Sequence, residues 1–364
     1  VFDLLLHLAR NHGRVIGHDE LIEEVWGGRI VSDAAIASCV AAARAALGDD
    51  GRAQRVIRTV PRRGFRFLPA PEDAAQTAPR HGPGGAPAIR YLRAPDGVSL
   101  AHAALGEGPW LVKTASFLTH LQHEAESPIW RHWVRELSAG FRYLRYDQRG
   151  NGLSDRDVAD ISVEAFLRDL EGVMDGLAIP RAMLLGISQG AGIAVEYARR
   201  HPGSVRGLVL VGGFPAGWRR LGLPEFEARR EALLRLIPVG WGQDTPAFRQ
   251  IYSSLFFPAG TEAQHGWFNE LQRVSAAPAA AVAILEAVAG MDVRESLAHV
   301  ACPTLVAHSR GDGMVPFDAG REMAIRIPGA RFLPLESVNH LVQEDEPAWP
   351  VFLEALDAFA AELA

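Results

Sequence analysis

One strand-to-helix junction constrains this chain more than any other feature in it. Ala182-Met183-Leu184-Leu185 is a short continuous apolar run, the pattern of a strand buried on both faces. It leads into Gly186-Ile187-Ser188-Gln189-Gly190, and a helical pattern follows from Ala191 to Arg200. A G-x-S-x-G pentapeptide alone is common. Between a buried strand and a helix it describes a nucleophile elbow. Gly186 and Gly190 leave room for a tight turn, and Ser188 is lifted off the end of the sheet. The positive end of the following helix favours negative charge beside it. The alternative is a glycine-rich turn with an idle serine.

A nucleophilic serine needs a base, and the base needs an acid to orient it. The strand pattern at 303–308 is followed by Asp312, and that at 330–335 by His340. Both residues fall just past the C-terminal ends of predicted strands, the edge where α/β sheets place their sites and where Ser188 also lies. Asp147, at the end of another strand, is the rival acid. His308 and His299 are rival bases, with structural roles as the simpler reading.

The rest of the chain fits a mostly parallel sheet of eight strands, at 89–93, 98–104, 110–114, 142–146, 182–187, 206–211, 303–308 and 330–335. Pro95-Asp96-Gly97 joins the first two as a hairpin. Helical patterns near 128–139, 162–177, 189–200, 318–327 and 347–361 alternate with the later strands, which predicts helices on both faces of the sheet. Residues 214–300 carry helical pattern without a clear strand, as expected of a helical lid. Ten aromatics between Phe214 and Phe268 serve its packing, the binding of a substrate with an apolar part, or both.

The first 68 residues read differently. Helical patterns span 1–11 and 18–26. A third runs from Ser32-Asp33 as N-cap to about Leu47, with Gly48 as C-cap and Ile36, Val40, Ala43 and Leu47 as its buried stripe. Residues 55–68 alternate apolar and basic around Pro61-Arg62-Arg63-Gly64, the pattern of a β-hairpin. Residues 69–88 hold five Pro and three Gly without apolar periodicity and read as a linker to a domain at 89–364. Residues 1–70 carry ten Arg against eight acidic residues, a charge of +2. The remainder carries 27 basic and 35 acidic residues, a charge of −8. A slightly basic head on an acidic body suggests two jobs.

Composition sets the class. Over 364 residues, 48% are apolar and 22% charged, which excludes a disordered or fibrous chain. No stretch approaches the ~18 uninterrupted apolar residues of a membrane span, and no basic-then-apolar signal peptide opens the sequence. Cys39 and Cys302 belong to no CxxC pair or metal-ligand cluster. The expectation is a soluble, cytoplasmic protein with no membrane contact, no metal and no organic cofactor. A homodimer is left open.

Residues 89–364 resemble the α/β-hydrolase fold superfamily over nearly their whole length. The stretches that carry the resemblance are Tyr146-Asp147-Gln148-Arg149-Gly150-Asn151-Gly152-Leu153-Ser154, Gly186–Gly190, Gly311-Asp312-Gly313-Met314-Val315-Pro316 and Asn339-His340. The resemblance implies Ser188 as nucleophile, Asp312 as acid and His340 as base, with Asp147 and Arg149 bracing neighbouring loops. It implies an oxyanion hole from the backbone N–H of Gln189 and a second N–H from the loop after strand 110–114. Family members usually carry His-Gly in that loop. Here Ala115-Ser116 takes its place and puts the donor at Phe117, with Ser116 and His120 as candidates to line the pocket. A serine at the elbow implies acyl transfer to water, by an esterase, lactonase, thioesterase, amidase or C–C bond hydrolase, with ester-like substrates (ester, lactone or thioester) as the expected class.

Residues 1–68 resemble the winged-helix effector domain of OmpR-like transcriptional regulators, on Leu21–Trp26, Val31-Ser32-Asp33, Arg44–Asp50 and Arg55–Phe67. That family begins with a small N-terminal sheet. The helical start at Val1 predicts a chain that opens inside the domain. The resemblance implies double-stranded DNA as a partner, with helix 32–47 in the major groove. Ser38 would be the base reader, Arg44 the groove-facing cation, and Arg58, Arg62, Arg63 and Arg66 phosphate contacts on the hairpin. The alanines of that helix offer bases no hydrogen bonds. Two functions follow as candidates: a hydrolase tethered to a regulator domain, and a regulator whose hydrolase-like domain senses an effector.

Overall fold

The computed structural model describes residues 2–11, 14–29, 31–46, 49, 54, 56–61, 63–68 and 88–363. The chain divides into two compact units, Val1–Gly84 and Gly85–Ala364. The linker at 69–88 lies outside the described residues except for Ala88, and so do Leu47, Gly48 and Arg62.

The first unit runs α1 (Phe2–Arg10), β1 (Val15–Ile16), α2 (His18–Trp26), α3 (Asp33–Ala46), β2 (Ile57–Val60) and β3 (Gly64–Phe67). The α3 helix starts where a cap residue allows it: the Ala35 N–H donates to Ser32 Oγ at 3.3 Å. Its predicted stripe of Ile36, Val40 and Ala43 is buried against Leu4, Leu8, Leu21 and Phe65. Burying Ile36 and Val40 is worth roughly 1.5–3 kcal/mol each. The hairpin β2–β3 forms as predicted and gains β1 as a third, antiparallel strand. Two residues are too short for periodicity to reveal.

Arg44 requires a correction. It is no groove-facing cation but 8% exposed. Its Nε and Nη2 donate to the Ile57 carbonyl at 3.0 and 2.7 Å, and Nη2 also donates to Thr59 Oγ1 at 2.8 Å. Ala43 and Arg44 lie on the core side of the helix, and the guanidinium is spent clamping α3 to β2. Asp49 works beside it, accepting from the Val56 and Ile57 N–H groups at 2.8 and 3.1 Å. Arg44→Ala removes three hydrogen bonds and is expected to cost this unit about 1–3 kcal/mol. Faster hydrogen exchange of the β2 and β3 amides in the intact chain checks this; unchanged exchange contradicts it.

The second unit places β4 (Arg90–Arg93), β5 (Ser99–Leu105), β6 (Trp110–Lys113), β7 (Arg142–Tyr146), β8 (Ala182–Ile187), β9 (Val205–Val211), β10 (Thr304–Ser309) and β11 (Arg331–Leu335) in one eight-stranded sheet. The order is β11-β10-β9-β8-β6-β7-β5-β4, parallel except where β5 meets β4 and β7. The α4 (Leu121–Ala125), α5 (Arg131–Gly140), α6 (Val163–Gly176) and α7 (Gln189–Arg200) helices follow β6, β7 and β8 in the chain. Residues 214–300 hold α8 (Pro224–Gly240), α9 (Ala247–Phe256), α10 (Glu262–Ser275), α11 (Pro278–Ala289) and α12 (Arg294–Leu297). The α13 (Phe317–Arg326) and α14 (Ala348–Glu362) helices complete the fold.

The continuous apolar sequence of β8 has a simple cause. Met183, Leu185 and Ile187 pack on one face with Trp133 and Phe352 of α5 and α14. Leu184 packs on the other with Phe166 and Val195 of α6 and α7. Both faces are covered, so neither can be polar. The chain leaves β6 for β7 on one side and returns to β8 on the other. The crevice at the C-terminal ends of β6 and β8 is therefore a topological switch point. Among the described residues no single helix is long and apolar enough to cross a membrane.

Candidate active site

Ser188 sits at that switch point, between the last residue of β8 and the first of α7. Its φ of 54° and ψ of −123° are strained for a non-glycine residue, at a cost of order 1–3 kcal/mol. The neighbours hold the strain in place. The Ser188 N–H donates to Val211 O at 2.9 Å, and the Ala191 N–H donates to Ser188 O at 3.0 Å. Although Ser188 is the N-cap of α7, its side chain makes no capping bond. The hydroxyl faces a cavity instead.

Both elbow glycines are sterically required. A Cβ on Gly186 would lie 2.6 Å from Ala191 Cα, and one on Gly190 would lie 2.6 Å from Thr114 Oγ1 and 3.1 Å from Ala115 O. Thr114 Oγ1 donates to the Gly190 carbonyl at 2.8 Å, so the turn is pinned directly to the loop after β6. Gly190→Ala is expected to push that loop away and lower kcat at least tenfold, with a lower thermal midpoint. Steady-state kinetics and a melting curve check this; wild-type values in both contradict it.

Asp312 and His340 are brought together from the ends of β10 and β11. Asp312 Oδ2 lies 2.6 Å from His340 Nδ1, and both side chains are buried. Asp312 Oδ1 accepts from the Met314 and Val315 N–H groups at 2.8 and 3.0 Å, which fixes the carboxylate plane. Burial opposes the Asp312 charge, but the neighbouring His340 outweighs it, with His308 and the Val315 N–H adding to the effect. The carboxyl is held below its ordinary range. His340 Nε2 is buried and has no partner among the described residues. The ring is wedged against the end of β9: a Cβ on Gly212 would lie 3.0 Å from His340 Cε1. Since Ser188 bonds to Val211 next door, the elbow and the imidazole share one edge of the sheet.

The rivals have other work. Asp147 accepts from the Leu121 N–H at 3.0 Å and the Leu153 N–H at 2.9 Å, bracing two loops. Burial and then the Glu124 carboxylate push its pKa up to about 7. Arg149 pairs with Asp169 at 2.7 Å and Asp96 at 2.8 Å. His299 is exposed, with Nδ1 on the Glu295 carbonyl. His308 is buried behind Asp312, its Nε2 3.2 Å from Val315 O and 3.5 Å from Asp312 Oδ2. That contact was not legible in the sequence.

Phe117 and Gln189 line the same cavity as Ser188. Neither backbone N–H donates to a protein carbonyl among the described residues. The loop lacks the usual glycine, and Leu118 supplies the bend by adopting a left-handed φ of 56°. Ser116 and His120 do not line the pocket. Ser116 is buried, and His120 Nδ1 caps α4 by accepting from the His123 N–H at 3.2 Å.

The cavity is walled mainly by Phe214, Trp218, Phe226, Phe256, Leu285 and Val288. Of the predicted lid aromatics, Trp241, Tyr252, Phe257 and Phe268 are buried in the core rather than on the cavity wall, with Trp241 and Tyr252 against Phe117. One lining residue had no signal in the sequence: Arg230 of α8.

In the first unit, Ser38, Arg58 and Arg63 are exposed and Arg66 is half-buried. The exposed face of α3 otherwise presents Asp33 and the alanines Ala34, Ala35, Ala37, Ala41, Ala42 and Ala45.

The comparisons agree with this architecture. The profile of the alpha/beta hydrolase fold matches residues 124–347. That of the transcriptional regulatory protein C-terminal domain matches residues 1–67. The AB hydrolase superfamily protein YisY of Bacillus subtilis is 28% identical over 255 residues, covering 69% of this chain and 91% of its own. The esterase EaEST of Exiguobacterium antarcticum superposes with a TM-score of 0.63 at 25% identity, over 74% of this chain and 98% of its own. The enol-lactonase of Burkholderia xenovorans superposes with a TM-score of 0.56 at 25% identity, over 75% of this chain and all of its own. The chain belongs to the alpha/beta hydrolase fold family, and its hydrolase fold is preceded by a winged-helix domain of the transcriptional-regulator type.

Proposed function

We propose that the second unit is a serine hydrolase of carboxylic-ester-like substrates: esters, lactones or thioesters. The observation that carries this is the 2.6 Å contact of Asp312 with His340 Nδ1 at the sheet edge where strained Ser188 opens into an apolar cavity. Ser188 Oγ attacks the substrate carbonyl carbon, and its proton passes to His340 Nε2. The carbonyl oxygen becomes an oxyanion held by the Gln189 and Phe117 N–H groups. The tetrahedral species collapses, and the departing alcohol or thiol takes the proton from Nε2. Water then attacks the acyl-serine by the same relay and releases the carboxylic acid. Asp312 keeps the Nδ1–H tautomer, so the Nε2 lone pair faces the hydroxyl. The names of the esterase and the enol-lactonase support the substrate class. The full chain is expected to turn over short p-nitrophenyl esters. No turnover across esters, lactones and thioesters would refute the reading.

The regulator match favours a second reading, in which the hydrolase unit senses an effector for a DNA-binding unit. Arg58 and Arg63, exposed on the hairpin, would contact phosphates, with Ser38 on α3 as the polar reader. Such binding would be weak and would fall steeply with salt. Fluorescence anisotropy of promoter DNA with the full chain tests it. A shift in affinity on adding a hydrolysable ligand supports sensing, and no shift across active ligands removes it.

A further inference from the structure

Arginines of the lid are either exposed to solvent, as Arg220, Arg229 and Arg235 are, or held by carboxylates or carbonyls; Arg230, at the cavity wall, is neither. Arg219 pairs with Glu231 and Glu286. Arg273 pairs with Glu270. Arg249 donates to the carbonyls of Trp241 and Gln243. Arg230 lines the cavity that Ser188 opens into and has no carboxylate or carbonyl partner among the described residues. Its Cζ lies 5.0 Å from the centroid of the Trp218 ring, and its Nη1 is 3.6 Å from Met314 Sδ, a weak acceptor. Trp218 and Met314 are themselves lining residues, so the guanidinium is held at the wall rather than swung into solvent.

This placement is costly unless something completes it. A guanidinium among Phe214, Trp218, Leu221 and Phe226 gives up water and receives only a ring face and a thioether. Burial pulls its pKa below the ordinary guanidinium value, and Tyr252 and Asp312 offset this only in part. Guanidinium geometry matches a carboxylate, which accepts two parallel N–H bonds and replaces the lost hydration. Apart from Ser188 and Gln189 at the elbow, the remaining lining is apolar, so the cavity distinguishes an apolar body bearing one anionic end.

We infer that Arg230 is a specificity-determining residue that binds a carboxylate on the substrate, so that the preferred substrates are esters, lactones or thioesters carrying a second, ionised carboxyl group. This inference rests on the hydrolase reading of the Ser188 site and deepens it.

Paired substrates test it on the full chain. The mono-p-nitrophenyl esters of succinic, glutaric and adipic acid are each compared with the neutral fatty-acid ester of the same length. At least one anionic ester should exceed its neutral counterpart at least tenfold in kcat/KM. Arg230→Gln should lower that ratio at least tenfold, and Arg230→Lys should keep part of it. A wild type that prefers every neutral ester, or an Arg230→Gln ratio equal to that of wild type, overturns the inference while leaving the hydrolase reading intact. If the wild type turns over none of these esters, the hydrolase reading is what fails, and binding decides the inference. Monomethyl glutarate and methyl valerate are then titrated against Ser188→Ala protein by tryptophan fluorescence, with Trp218 as the neighbouring reporter. Tighter binding of the anion that Arg230→Gln abolishes supports the inference; equal binding overturns it. Arg230→Lys decides either arm if Arg230→Gln does not fold.

Discussion

Ser188→Ala is expected to lower kcat on a short p-nitrophenyl ester by about 10⁵–10⁶-fold while leaving the fold intact. The size follows from how the residues act together. Without Oγ there is no acyl intermediate, and His340 has no proton to move, so removing one member costs nearly as much as removing all. What survives is polarisation of the carbonyl by the Gln189 and Phe117 N–H groups, worth about 10³–10⁴ over water. The thermal midpoint should hold or rise, because the Ser188 side chain makes no capping bond whose loss would matter. Retained turnover in a folded variant would remove Ser188 from the chemistry.

Asp312→Asn should lower kcat by about 10³–10⁴-fold with little change in KM. The argument is specific to this site. Oδ1 is held by the Met314 and Val315 N–H groups, so the variant's carbonyl oxygen keeps that position. Its NH₂ then falls where Oδ2 lay, 2.6 Å from His340 Nδ1. A donor there forces the proton onto Nε2, the atom that must accept one from Ser188. KM should change little, because Asp312 does not line the cavity. The variant also alters the pH dependence of stability. The folded carboxyl titrates below its unfolded value, so its stabilisation is present above the ordinary carboxylate range and is lost as pH falls through the folded value. The stability gap between wild type and variant should therefore narrow on acidification. A wild-type kcat, or a gap that widens in acid, would contradict the role given to Asp312.

Much of this was legible because the fold imposes strong local patterns. All eight strands of the large sheet were predicted to within a residue or so: the central ones, such as β8 and β10, because strands buried on both faces must be apolar throughout, and the edge strand β4, which is largely exposed, because Pro95-Asp96-Gly97 marks its hairpin turn. The elbow is a local motif; Asp312 and His340 stand past strand ends, but so does Asp147, and the family resemblance is what singles out the first two. What sequence could not reveal depends on contacts between distant segments. Arg44 looked like a free cation because helical periodicity does not say which long side chains fold back onto a neighbouring strand. The β1 strand has two residues, too few for a period. Leu118 takes the bend that a glycine would be expected to take, so no residue type announced it. Arg230 is one of several lid arginines, and only packing separates it from its paired neighbours.

The central claim is that Ser188 is the nucleophile and that His340 activates it. Labelling with a fluorophosphonate ester followed by peptide mapping tests this most directly, because the reagent forms a stable bond only with an activated serine. The expected result is one phosphonyl adduct on Ser188, formed in step with loss of esterase activity and suppressed in His340→Ala. An adduct on another residue, or loss of activity with no adduct on Ser188, would contradict it.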